Sequence, residues 1–192
     1  MNLPPLILAS VSPRRKELLQ QLGVEFSVVP GSVEELHDDQ MTAWEISQIN
    51  ACRKARPVAK QFPDALVLSA DTLVYLGTTL YGKPANFSDA VRMLEQLQGR
   101  THQVVTGLCL LHLRCHRQKV FAEVTDVTFH SLTRQQIENY LAKINPLDKA
   151  GAYAIQDHGE LIVEEISGSF SNVVGLPLER LREELSAWQT SV

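Results

Sequence analysis

A surplus of positive charge is the first thing this chain lacks. Its 18 Lys and Arg stand against 22 Asp and Glu, giving a net charge of −4 and a pI near 5.9. There is therefore no basic surface with which to hold a nucleic-acid backbone, and any phosphate site has to be local. No apolar run approaches membrane-spanning length, and the opening MNLPPL has neither the charged n-region nor the apolar h-region of a signal peptide. Cysteine is scarce as well: Cys52, Cys109 and Cys115 are an odd number without a CxxC pair, which suits a reducing cytoplasm. Internal repeats and low-complexity segments are absent. A cytoplasmic protein without membrane or nucleic-acid partners is expected. What is present is an ordinary soluble composition, 44% hydrophobic and 21% charged over 192 residues, enough for one domain with a substantial core.

The stretch LILASVSPRR, residues 6–15, organises the rest. Leu6 to Ala9 suits a short buried strand, Ser12-Pro13 reads as an N-cap followed by proline at the first helical position, and Gly23 stops the helix after Leu18, Leu19 and Leu22. Arg14 and Arg15 then fall in the first turn of a helix, where the macrodipole disfavours cations. Either they are two solvated surface arginines, or an anion neutralises them, in which case free N–H donors, serine hydroxyls and two guanidiniums make a phosphate cradle.

Further along, Glu25 to Pro30 reads as a second strand, followed by an acidic loop with Glu34, Glu35, Asp38 and Asp39. Clusters of this kind are usually solvated, with a metal role the less common alternative. Thr42 to Ala59 is helical, with Trp44, Ile46, Ile49, Cys52 and Ala55 expected on the buried side, Lys54 among the charged remainder, and Pro57 as a kink or stop. Leu66 to Ala70 is a buried strand that delivers Asp71 and Thr72 at its end, either as a turn or as a carboxylate at the strand's carboxyl end, where open α/β sheets place them. Residues 77–83 nearly spell a P-loop, but Pro84 stands where the magnesium-binding hydroxyl belongs, so the stretch reads as a hairpin turning at Gly77-Thr78-Thr79. Lys83 then hangs from a stiff Gly-Lys-Pro turn, a credible place for a phosphate-binding lysine.

Ser88 is placed to cap the helix that Gly99 stops, and two long strands, His102 to Leu113 and Lys119 to His130, form an antiparallel pair. His112, Cys115 and His116 stand together at its tip, thin support for a zinc site. Thr133 and Gln136 form a capping box. An Asp148-Lys149 ion pair precedes AGAY, a strand LIVEEI follows, and Leu178, Leu181, Leu185 and Trp188 line the buried face of the last helix.

ASVSPRRKELL, ADTLVYLGTTLYGKP, THQVVTG, DKAGAYAIQ and SNVVGLPLE have the order and spacing of the Maf family of nucleotide pyrophosphatases, which the chain resembles over nearly its whole length. The resemblance implies an α/β fold: a mixed, elongated β-sheet flanked by helices, two lobes around a nucleotide cleft, akin to the inosine triphosphatases. Residues 1–192 would form a single such domain, commonly as a homodimer. It also implies hydrolysis of a nucleoside triphosphate to monophosphate and pyrophosphate with a divalent metal, Mg2+ or Mn2+. By correspondence, Ser10, Arg14 and Arg15 belong to the SxSPRR block, Lys54 to the Ala-x-x-Lys-Ala segment and Lys83 to Gly-Lys-Pro. Asp71 matches the catalytic base, acting as proton acceptor or as metal ligand, and Glu35 the metal-linked glutamate, with Glu34 as its alternative. Arg15, Thr72 and Gln156 match positions of the subgroup that prefers dTTP and UTP. The chain departs from the family at Glu34-Glu35, at Asn145-Pro146 and at Asp157-His158, the last beside the base pocket.

The chemistry implied agrees with the residues. Cleavage between α- and β-phosphates needs neutralised phosphate charge, a positioned water and a proton acceptor, which Arg14, Arg15, Lys54, Lys83 and Asp71 can supply with the metal. Two rivals carry different expectations: a non-catalytic nucleotide sensor acting through a partner, and the same reaction on a modified purine nucleotide.

Overall fold

The structure is a computed structural model and describes residues 3–38 and 40–188; Asp39 of the acidic loop lies outside the described residues. In chain order the elements are β1 (Leu6–Leu8), α1 (Pro13–Gln20), β2 (Phe26–Val28), α2 (Ala43–Gln61), β3 (Leu66–Leu76), β4 (Thr79–Tyr81) and α3 (Phe87–Leu97). There follow β5 (Thr101–His112), β6 (Arg117–Phe129), α4 (Arg134–Leu141), three single 3-10 turns, β7 (Val163–Ser167), α5 (Phe170–Val174) and α6 (Leu178–Ser186). The seven strands form a mixed α/β sheet in the order β2-β1-β3-β5-β6-β7, with β4 on β3. β1 is parallel to both β2 and β3, whereas β3–β4 and β6–β7 are antiparallel. No helix of the described residues is long and apolar enough to cross a membrane.

The chain divides into two compact units. Met1–Asp71, Thr106–Glu123 and Gly175–Val192 make the first, and Thr72–Val105 with Val124–Val174 the second, so β3, β5 and β6 each contribute to both. In the first unit α2 packs Ala51, Ala55, Val58 and Ala59 against Ile7, Val67, Cys109 and Leu111. Ala43, Ser47 and Asn50 are buried on that helix, and Trp44, expected inside, is 49% exposed. The reason is close approach: a Cβ on Gly107 of β5 would lie 2.4 Å from the backbone carbon of Ser47. Only small side chains fit where helix and strand come that near. Pro57 neither ends nor interrupts α2; it and Arg53, whose carbonyl it cannot serve, are both exposed, which leaves the orphaned acceptor on the solvent side of the helix. On α6, Leu178, Leu181 and Leu185 are buried as their spacing predicts, and Trp188, just past the helix end, is buried as well.

In the second unit α3 and α4 supply Ala90, Val91, Leu94, Leu97, Ile137 and Tyr140 to a core that also holds Val104, Val127, Phe129 and Tyr153. Asn86, not Ser88, caps α3: its side-chain Oδ1 accepts from the Asp89 N–H at 2.9 Å, while the Asp89 carboxylate takes the Ala85 N–H at 3.0 Å. The Thr133–Gln136 capping box on α4 is formed.

Strand β3 runs six residues beyond the expected Ala70. Its first part, Leu66–Leu68, pairs with Leu6–Leu8, and Val74–Leu76 pairs with Tyr81–Thr79, a hairpin closed by Gly77-Thr78 alone. Asp71 is thus inside a strand, in the stretch between these two pairings. β4 pairs with Val74–Leu76 and β5 is hydrogen-bonded to β3 as well, so partners later in the chain carry the strand past Asp71.

Candidate active site

Two clusters of polar side chains occupy the first unit. One is the turn from β1 into α1. Ser12 caps the helix, accepting from the Arg15 N–H at 3.4 Å, and its own N–H donates to Ser10 Oγ at 3.2 Å. The Arg15 side chain folds back over the turn, donating from Nε to the Gly175 carbonyl at 2.9 Å and from Nη1 to Ser10 Oγ at 3.5 Å. Partial burial lowers the pKa of its guanidinium from the ordinary value; Asp71 opposes this, Arg14 adds to it, and Glu35 opposes it more weakly. A half-buried arginine beside a second arginine gains from a bound anion, whose charge offsets both.

The second cluster centres on Lys54, one helical turn after Asn50 on α2. Its ammonium donates to Glu35 Oε1 at 2.7 Å and to Asp71 Oδ1 at 2.6 Å. The Lys54 side chain is 12% exposed and that of Asp71 5%, while Glu35 at 38% reaches toward water. Of the two loop glutamates it is Glu35 that joins the cluster, and Glu34 is exposed. The loop reaches α2 because of Gly31: a Cβ there would fall 2.6 Å from the Lys54 carbonyl oxygen. Expected among the charged remainder of α2, Lys54 is instead the cation at the centre of a carboxylate pair.

The remaining sequence candidates belong to the second unit. Thr72 follows Asp71 on β3 and is half-buried, and Lys83 and Gln156 are exposed. The Gly-Lys-Pro turn is anchored to the DKAGAY segment by a bond from the Gly151 N–H to the Gly82 carbonyl at 3.1 Å. Lys149 of that segment is buried, its ammonium satisfied by the Asn145 carbonyl and Asp148 Oδ1, both at 2.8 Å. Hence the expected Asp148-Lys149 pair forms and shapes the loop that carries Gln156.

Asn50 escaped the sequence reading. Its side-chain amide accepts from the Leu36 N–H at 2.7 Å and donates to the Leu36 carbonyl and to Asp71 Oδ2, each at 3.2 Å. The available signal was its place four residues before Lys54, on the same face of α2. Gly175 was missed too, and a backbone carbonyl leaves no mark in a side-chain pattern. At the β5–β6 tip, Cys115 Sγ and His112 Nε2 are 4.0 Å apart. Among the described residues no group of three or more His, Cys, Asp or Glu gathers where it could hold a metal.

The sequence model described as Maf-like protein matches residues 5–188. The dTTP/UTP pyrophosphatase of Phocaeicola vulgatus is 47% identical over 184 residues, covering 94% of each chain. That of Desulforamulus reducens is 42% identical over 181 residues, 94% of this chain and 95% of that protein. Among solved structures, the Ham1 protein of Staphylococcus aureus aligns with a TM-score of 0.57 over 95% of this chain and 98% of that one; at 16% identity the likeness is one of fold.

Proposed function

The chain belongs to the Maf-like protein family, and from that premise we propose that it hydrolyses dTTP and UTP to the nucleoside monophosphate and pyrophosphate. The observation that carries the reading is the Glu35–Lys54–Asp71 cluster, 2.7 and 2.6 Å on either side of one ammonium, within electrostatic reach of Arg15. It combines a buried carboxylate with fixed positive charge, the two requirements of anhydride hydrolysis. The names of the relatives, dTTP/UTP pyrophosphatases at 42–47% identity over nearly the whole chain, supply the substrate.

In this reading Ser10, Arg14 and Arg15 receive phosphate oxygens at the N-terminus of α1, and Lys54 neutralises charge as the Pα–O bond to pyrophosphate breaks. Lys83 is assigned to the phosphates, and Thr72 and Gln156 to the base. Asp71 holds the attacking water and accepts its proton. The residues fit a divalent cation, Mg2+ or Mn2+: Glu35 and Asp71 already face a common positive charge, and magnesium is usually held by one or two carboxylates, substrate phosphates and waters. Such an ion supplies Lewis-acid stabilisation of the phosphates and a more acidic water. Residues 1–192 acting as one catalytic domain in the cytoplasm is part of the same proposal.

The test is pyrophosphate release from a panel of canonical and modified nucleoside triphosphates, with and without Mg2+ or Mn2+. dTTP and UTP should be the preferred canonical substrates, and chelation should abolish turnover. Preference for a modified purine would move the assignment to the base, and no release from any substrate would leave a nucleotide sensor.

A further inference from the structure

We propose that Asn50 is a positioning residue, whose single amide fixes the spacing between Glu35 and Asp71. The inference rests on the pyrophosphatase reading above and deepens it. An asparagine amide has two N–H donors and a carbonyl acceptor, and Asn50 commits all three functions. Its carbonyl takes the Leu36 N–H at 2.7 Å, and its nitrogen serves the Leu36 carbonyl and Asp71 Oδ2, each at 3.2 Å. Asn50 is 1% exposed and Asp71 4%, so water is no ready substitute in the bond between them.

The geometry has two consequences. Clasping both backbone groups of Leu36 immobilises the irregular loop at the residue after Glu35, so the Glu35 carboxylate is not left to a mobile segment. The bond to Oδ2 occupies one Asp71 oxygen while Lys54 occupies Oδ1 at 2.6 Å, which locks the rotation of the carboxylate about its own bond. One side chain therefore ties an acidic loop to an acidic strand position, with Lys54 one helical turn away holding the same two carboxylates. No other described contact joins Leu36 and Asp71 through a single group. Outer partners of this kind typically matter by about 10- to 100-fold in activity.

The test is a double-mutant cycle on pyrophosphate release from UTP, read as kcat and KM alongside thermal melts. Asn50→Ala removes all three bonds. Asn50→Asp keeps the shape and the acceptor for the Leu36 N–H but can donate neither to the Leu36 carbonyl nor to Asp71. Both variants should lose about 10- to 100-fold in kcat with KM changed by less than about threefold. In an Asp71→Asn background the same substitutions should cost several-fold less than in wild type, because the action of Asn50 through the Asp71 carboxylate is already gone and only its hold on the Leu36 loop remains to be lost. Variants with normal kcat, an equal loss in the Asp71→Asn background, or a loss confined to KM would overturn the assignment. Failure of both variants to fold at assay temperature would likewise reduce Asn50 to a structural tie. A wild-type protein that releases no pyrophosphate overturns the catalytic reading itself, an outcome distinct from an active wild type with additive losses.

Discussion

His102 sits in the aromatic cluster of the second unit, edge-on to Phe129 and Tyr153, with Nε2 2.9 Å from the Tyr153 hydroxyl and Nδ1 buried without a partner. Burial pushes its pKa down to about 4 from 6.5. Between those values the unfolded chain binds a proton that the folded one refuses, so stability is complete above pH 6.5 and is lost as the pH falls toward 4. The shift corresponds to about 3 kcal/mol. Denaturant unfolding at pH 7 and pH 4 should show wild type losing about that much more than His102→Gln; equal losses would mean that His102 titrates normally. Gln156 carries a prediction of a different kind. A glutamine amide can donate to a carbonyl of uracil and accept from its ring N–H, whereas a carboxylate can only accept. Gln156→Glu should lower kcat/KM for UTP relative to GTP by a factor corresponding to about 1–3 kcal/mol. An unchanged ratio would remove Gln156 from the base site.

At the scale of elements, the packing of α2 on β5 fixes where Lys54 and Asn50 point. Gly107→Ala sets a methyl against the Ser47 backbone with a 2.4 Å approach, a clash no side-chain rotation relieves. Destabilisation of about 1–3 kcal/mol is expected, read as a lowered denaturation midpoint at constant m-value. A neutral outcome would show that helix and strand are further apart than described. The same contact explains what sequence patterning could and could not deliver here. Helical periodicity located α2 to within two residues at each end, but it put Trp44 on the inner face because size and polarity do not report how close a neighbouring backbone comes. Strand β3 was legible as an apolar run and invisible as a continuous strand through Asp71, since its continuation depends on pairing with β4 and β5 later in the chain. Capping chemistry, written in adjacent residues, read correctly at Ser12 and Thr133 and misplaced only the choice between Asn86 and Ser88.

For the molecule as a whole, the seven-stranded mixed sheet with flanking helices is the architecture that the five sequence blocks implied. The candidate site was legible as a set of charged residues in those blocks. Its internal wiring was not, because Asn50 and the Gly175 carbonyl act through long-range bonds that leave no sequence spacing. The central claim is that the buried Asp71 carboxylate drives hydrolysis of the α–β anhydride. Its most direct test is pyrophosphate release from UTP by wild type and by Asp71→Asn, which preserves shape and removes the charge. The account predicts a fall in kcat of roughly two to four orders of magnitude, with an unaltered fold by circular dichroism. Near-normal turnover by a folded Asp71→Asn protein would contradict it.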